Sequence, residues 1–305
     1  MLSKLILTIL LTTQLFLPAN NDQGQVLGTQ AQEAGDKVIT EGPERIVNKN
    51  LGVKISASHA IVIDKESGKV LFAKNPHQQK PIASITKLMT ALVFLDTQPD
   101  FKKEIKIIPE DLTGVGKMNL LLGERVTLEN LFYLSLVNSD NNATLAMVRS
   151  TGMSKDEFVS KMNEKAAELH LSHTHFADPV GLKKGNVSTP YEVSQLLSIA
   201  LENNLIKKAL FTKVYSFSSL SKKHHLVKNT NHFLFNPLLK WWNNQGGKTG
   251  YTDEAGYCFT GLFKLKNGHK VISVVLNSSQ ANARFQDTKA IINWVEENYQ
   301  WQNDQ

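Results

Sequence analysis

Two serines and two lysines stand in this sequence at spacings suited to acyl-transfer chemistry. Ser84 and Lys87 make an S-x-x-K, Ser139 and Asn141 an S-x-N, and Lys248-Thr249-Gly250 a K-T-G, in that order. A serine hydroxyl is a weak nucleophile and needs a base beside it. At the start of a helix, residues i and i+3 share a face, so Ser84 and Lys87 point the same way. Lysine takes up a proton only as the free amine, which requires a pKa lowered by desolvation or by a second cation. The same helix start offers a backbone N–H near Ser84 for a developing oxyanion. The Ser139 hydroxyl could relay a proton to a leaving amine, and the Asn141 amide could hold a substrate carbonyl or Lys87. Lys248 and the Thr249 hydroxyl suit a substrate carboxylate. Gly250 would let a substrate backbone approach the strand, and the Tyr251 N–H would be a second oxyanion donor.

Taken singly, these strings are ambiguous. A second S-x-x-K, Ser219 and Lys222, lies in SSLSKKHH with no apolar helix after it. It reads as a solvated basic loop, as does the KKHH cluster at 222–225. An S-x-N alone is a helix–helix turn, where Ser, Asp and Asn are favoured anyway. Order along the chain and the elements around each string select Ser84.

Those elements can be read from pattern. AIVID and KVLFAK are β-rich runs split by KESG, a hairpin signal. Pro81 leads into the apolar helix SITKLMTALVFL. KEIKII is a short strand. Thr127 opens a buried helix that ends in the polar cluster 138–142, and ATLAMV follows as another helix. Ser154 and Glu157 make a capping box, and Thr189, Pro190 and Glu192 are read the same way. Lys248 stands at the start of a strand run, YCFTGLFKLK and KVISVVLN pair across Asn267-Gly268, and a last helix spans about 284–299. Strands, a helical block from about 84 to 205, strands again and a helix predict an α+β fold. Its antiparallel sheet is built from both chain ends and flanked by helices, with the helical block as an inserted lobe.

Composition narrows the class. The chain has 305 residues, 41% apolar and 20% charged, with net charge +6. That balance suits a soluble globular protein. The mild excess of lysine is compatible with an anionic partner such as cell wall but is as readily a solvated surface without function. No nucleic-acid motif appears. Lys4 precedes an apolar run from Leu5 to Leu17, shorter than the roughly 20 residues of a membrane span and within the roughly 7–15 of a signal-peptide core. Residues 1–19 are therefore expected to be a signal peptide, or an uncleaved anchor that tethers the chain to a membrane, and in either case the domain is extracytoplasmic. Residues 20–52 read as a disordered polar tether reaching about 30 Å, residues 53–300 as the catalytic domain and 301–305 as a tail. Cys258, the sole cysteine, reads as a buried small hydrophobe. His170, His173 and His175 have a spacing that could ligate a metal, but no cysteine or H-E-x-x-H accompanies them, so they read as structural or surface histidines.

Together the strings resemble one family, the D-alanyl-D-alanine carboxypeptidases, which are low-molecular-mass penicillin-binding proteins. PIASITKLMTAL, LVNSDNNATLAM and GGKTGYTDEAGYCF resemble its three motif segments, although Asn142 stands where an acidic residue is more usual. THFADPVGL, STPYEV and ARFQDTKAIINW resemble further family segments, and the similarity spans about residues 55–297. The resemblance implies a penicillin-binding/β-lactamase-like transpeptidase fold, with Ser84 as nucleophile and Lys87 as base. It gives proton relay and substrate positioning to Ser139 and Asn141, and carboxylate binding to Lys248 and Thr249 with Arg284. Peptidoglycan stem peptides would be the substrate, β-lactams would inhibit, and neither metal nor organic cofactor would be needed. Many members continue into a β-rich second domain, whereas this sequence resembles shorter ones, some of which cut cross-links between peptides. Carboxypeptidase and endopeptidase therefore both stand. A class A β-lactamase also needs a deacylating Glu between the second and third motifs. FADPVGL stands there instead, which leaves that reading behind, and the presence of every required side chain does the same for a non-catalytic wall-binding module.

Overall fold

The computed structural model describes residues 42–47, 52–235 and 243–302. The expected signal segment and most of the tether lie outside the described residues. The first expected hairpin forms as β1 (His59–Asp64) and β2 (Val70–Lys74), and the Asp64 carboxylate closes its turn by accepting from Ser67 N and Oγ. A 3-10 turn, Ala83–Thr86, runs into α1 (Lys87–Asp96). Thr127 caps α2 (Leu128–Tyr133), which widens into a π-turn over Leu134–Asn138 before α3 (Asn141–Arg149). The Ser154–Glu157 capping box starts α4 (Lys155–Glu168), and Thr189 caps α5 (Pro190–Ala200). Then come α6 (Asn204–Phe211), β3 (Val214–Ser218), β4 (His224–Lys228), β5 (Asn243–Thr252), β6 (Gly256–Lys264), β7 (Lys270–Ser278) and α7 (Ala283–Asn298).

The main sheet is antiparallel in the order β5-β6-β7-β1-β2, so the N-terminal hairpin joins the C-terminal strands along the β7–β1 ladder. This is the expected α+β architecture. Every residue of β1 is buried, and alternate side chains serve two cores, as the two-residue period of a strand requires. Ile61, Ile63, Ile272 and Val274 pack beneath the helical lobe. Ala60, Val62, Val271 and Val275 face Ile291, Ile292 and Val295 of α7. Each large apolar side chain so buried contributes about 1.5–3 kcal/mol. Among the described residues no helix is long and apolar enough to cross a membrane.

Five expectations need correction. The stretch read as a solvated basic loop is the β3–β4 hairpin, and its His225 is buried against Glu124 and stacked on Phe217 at 4.8 Å. The K-T-G lies inside the edge strand β5, because Asn243 and Asn244 already pair with β6. Glu192 does not complete a capping box. Its carboxylate accepts from His173 N and Thr174 Oγ1, tying α5 to the preceding loop. Residues 44–45, expected in the tether, pair with Tyr299–Gln300, and Arg45 sits 5.5 Å from the Trp294 ring centroid. Trp301, expected in the tail, is buried and donates its indole N–H to Asp64 at 3.0 Å.

One carboxylate locks the sheet to α7. Asp287 accepts from Ser56 N (2.8 Å), Ser56 Oγ (2.7 Å), Ala57 N (2.8 Å) and Ser278 Oγ (2.8 Å). Asp287→Asn removes the charge and turns one acceptor into a donor facing these donors. Urea unfolding is expected to show a loss of about 2–3 kcal/mol. An unchanged midpoint would mean that the cluster is solvated rather than structural.

Candidate active site

The three motifs converge on one cleft of about 1140 Å³ between the helical lobe and the β5 edge, with Ser84, Ser139, Asn141, Thr249, Gly250, Tyr251 and Arg284 in its lining. Lys87 and Lys248 lie fully buried behind this lining. Ser84 sits in the 3-10 turn, and Lys87, one turn on, brings Nζ to 3.1 Å from Ser84 Oγ. The same Nζ lies 2.8 Å from Asn141 Oδ1 and 2.7 Å from the Val180 carbonyl oxygen. A neutral amine has two N–H donors and one lone pair. Two fixed acceptors take the hydrogens and leave the lone pair for the Ser84 hydroxyl. Burial pushes the Lys87 amine down to about 7, against the pull of Asp178 and then Asp140.

The second lysine repeats this arrangement. Lys248 Nζ donates to Ser139 Oγ at 2.7 Å and to the Thr249 carbonyl at 3.0 Å. Burial, and then the charges of Lys87, Arg284 and Lys117, hold it well below the usual lysine range. Thr249 Oγ1 donates to Thr230 Oγ1 at 2.7 Å. Arg284 donates from Nη1 to the Gly250 carbonyl at 3.1 Å.

Local backbone puts these groups in place. Ser139 follows the π-turn in a left-handed conformation, φ 63°, uncommon for a residue with a Cβ and held here by its flanks. Asp140 caps α3 through Ala143 N (2.8 Å) and also accepts from Asn119 N (2.9 Å). Asp178 gathers Val180 N (2.7 Å), Gly181 N (2.6 Å), Lys183 N (2.5 Å) and Asn186 Nδ2 (2.7 Å), which fixes the Val180 carbonyl over Lys87. Two glycines hold the nucleophile turn. A Cβ on Gly181, at φ +88°, would lie 2.1 Å from the Ala83 carbonyl oxygen, and one on Gly250 would lie 2.6 Å from the Ile82 carbonyl oxygen. On that side Gly250 admits the Ser84 turn, where the sequence suggested a substrate backbone.

All nine motif-derived residues therefore meet. Ser219 and Lys222 do not join them, because they lie at the β3–β4 turn, where Lys222 N donates to the Ser219 carbonyl. Tyr251 stacks on Tyr257 at 4.3 Å and donates its hydroxyl to Asp253. Asn142 Oδ1 accepts from Thr113 N at 3.0 Å. Cys258 is buried, and burial pushes its thiol up to about 11, which leaves it unreactive at neutral pH. His173 bonds Glu192 and His175 bonds the Gly185 carbonyl, and no acidic, histidine or cysteine cluster among the described residues could hold a metal ion. Sequence reasoning missed Thr230, Lys117 and His232, which line the cleft from segments without a motif, and gave no role to Asn138, which lines it beside Ser139. It also gave Asp178 and Val180 no role, although both stand in the segment THFADPVGL.

Known proteins resemble this chain over most of its length. The family model described as D-alanyl-D-alanine carboxypeptidase, peptidase S11, matches residues 44–280. A D-alanyl-D-alanine endopeptidase of Pseudomonas aeruginosa is 32% identical over 262 residues, 85% of this chain and 83% of its own. The D-alanyl-D-alanine carboxypeptidase DacF of Bacillus subtilis is 34% identical over 236 residues, 75% of this chain and 59% of its own. The crystal structure of a Streptomyces DD-transpeptidase aligns with a TM-score of 0.74 at 26% identity, over 82% of this chain and all of that one.

The glycine contacts can be tested directly. Gly181→Ala must displace the Ala83–Ser84 turn, and a shift of about 1 Å at a reacting atom costs about a hundredfold. Acylation by a penicillin is expected to fall by that order with circular dichroism unchanged. A wild-type rate would mean the turn is not confined by residue 181.

Proposed function

Because the chain belongs to the D-alanyl-D-alanine carboxypeptidase family of serine DD-peptidases, we propose that it hydrolyses peptidoglycan stem peptides ending in D-Ala-D-Ala through an acyl-enzyme on Ser84. The observation that carries this reading is the buried Lys87 amine 3.1 Å from Ser84 Oγ, with Asn141 Oδ1 and the Val180 carbonyl as its other two partners. Ser84 Oγ attacks the penultimate carbonyl while Lys87 takes its proton. The oxyanion is held by the backbone N–H groups of Ser84 and Tyr251. Ser139, hydrogen-bonded by Lys248, passes a proton to the departing amine, and D-alanine leaves. Thr249 and Arg284 hold its carboxylate, with Lys248 behind them, and Asn141 positions both Lys87 and the substrate. Water then hydrolyses the ester and restores Ser84. Such a substrate places the enzyme on the outer side of the cytoplasmic membrane, secreted or held by its N-terminal apolar segment.

A second reading, DD-endopeptidase, has its own support. The Pseudomonas relative, matched over most of both chains, is an endopeptidase. In that reaction the same acyl-enzyme forms, but the departing amine belongs to a cross-linked neighbour.

Mass spectrometry after incubation with a penicillin is expected to show a stable adduct on the wild type and none on Ser84→Ala. Folded protein that never gains the adduct would overturn the mechanism. Rapid turnover of the drug would instead indicate a β-lactamase. Release of D-alanine from a pentapeptide, set against cleavage of a cross-linked dimer, separates the two peptidase readings.

The lowered Lys87 pKa fixes the sign of the pH dependence. Below about 7 the amine is protonated and has no lone pair to offer. The acylation rate is expected to rise about tenfold per pH unit up to about 7 and level off above it. A rate that keeps rising to pH 10 would assign the base to an amine of ordinary basicity.

A further inference from the structure

The end of the cleft that takes the leaving group carries more positive charge than one carboxylate needs. The Arg284 guanidinium packs against Tyr257 and Phe285, 5.6 and 5.0 Å from their ring centroids. Its Nη1 donates to the Gly250 carbonyl, its buried Nε has no partner, and no carboxylate pairs with it among the described residues. Lys117 and His232 line the same cleft, His232 stacked on Phe285 at 4.8 Å. Neither side chain has a hydrogen bond or ion pair among the described residues. The three lie close enough to feel one another. Desolvation, then Arg284 and Lys117, lowers the His232 pKa. Desolvation lowers Lys117 as well, Asp140 opposes this, and Arg284 adds to it.

Two acids of the lining have partners of their own, Asp253 accepting from the Tyr251 hydroxyl at 2.7 Å. Glu254 also lines the cleft and pairs with Lys184 at 3.2 Å. One carboxylate is satisfied by a guanidinium donor and a hydroxyl, which Arg284 and Thr249 supply. The Lys117 ammonium repels Arg284 until an anion binds, and the neutral His232 ring adds an N–H donor beside them. D-Alanine carries one carboxylate and a methyl group, and offers them nothing.

We propose that Lys117 and His232 recognise a second carboxylate on the leaving group, so that this end of the site is built for an acidic cross-bridge amino acid of a neighbouring strand. The inference rests on the proposed acyl-serine mechanism and favours its endopeptidase form. Ser84 Oγ bonds to the D-alanyl carbonyl and the amide C–N bond breaks. The amine leaves with a proton delivered through Ser139, and its adjacent carboxylate stays on Thr249 and Arg284. Its second carboxylate lies against Lys117 and His232. Water then cleaves the ester.

The test uses the full chain and two cross-linked dimers that differ only in whether the second carboxylate of the leaving group is free or amidated. Wild type is expected to lose about tenfold in kcat/KM on amidation, the effect of one charge-assisted hydrogen bond. Lys117→Gln should lose about as much on the free acid and nothing further on amidation, and His232→Gln should show the same pattern more weakly. Thermal unfolding of both variants checks their folding. If Lys117→Gln lowers both dimers equally, or keeps the full amidation effect, the inference is overturned. A wild type that forms no Ser84 penicillin adduct would instead overturn the mechanism beneath it, and the inference with it.

Discussion

Two lysine amines buried in one cleft, neither touching a carboxylate, are the constraint on which the rest of this structure turns. Lys87 and Lys248 are each fully buried, and each is solvated by neutral oxygens of a serine, an amide or the backbone. A carboxylate in contact would keep them charged. The acids that act on Lys87, Asp178 and Asp140, are instead spent on backbone N–H groups. They hold the loops that hold the lysines, and their charge reaches Lys87 only at a distance. The site therefore keeps a free amine near neutral pH without losing its framework.

That framework depends on close approach. The Ser84 turn is wedged between the Asp178 loop and the β5 edge, with Gly181 on one side and Gly250 on the other. Ala83 itself takes a positive φ of 47°. Strain of this kind persists only where surrounding contacts over-determine it. β5 and β6 on one side and α1 on the other supply those contacts.

The chemistry was more legible in the sequence than the walls around it. Ser84, Lys87, Ser139, Asn141, Lys248 and Thr249 could be found because catalysis needs those residue types at fixed spacings, and the main hairpins because apolar runs alternate about turn residues. Lys117 and His232 could not be found, because a cation in a loop reads the same whether it faces solvent or a cleft. The β3–β4 hairpin was obscured by KKHH, whose one buried histidine depends on Glu124, a hundred residues away. Gly250 was rightly singled out, but only coordinates show that the Ile82 carbonyl fills the space beside it.

The sheet has a consequence for how this protein comes into being. Ser84 and Lys87 are made early in synthesis, but β5, which carries Lys248 and Thr249, has to be laid down beside β6 and β7, and β7 against β1. Such distant pairings form slowly. A ribosome would finish the nucleophile half of the site long before the half that receives the substrate, and a chain cut short before β7 would carry the serine and its base without a sheet to hold the cleft shut. Hydrolytic capacity is thus all-or-none with respect to chain completion, and for most of its synthesis this protein is inert toward the polymer it acts upon.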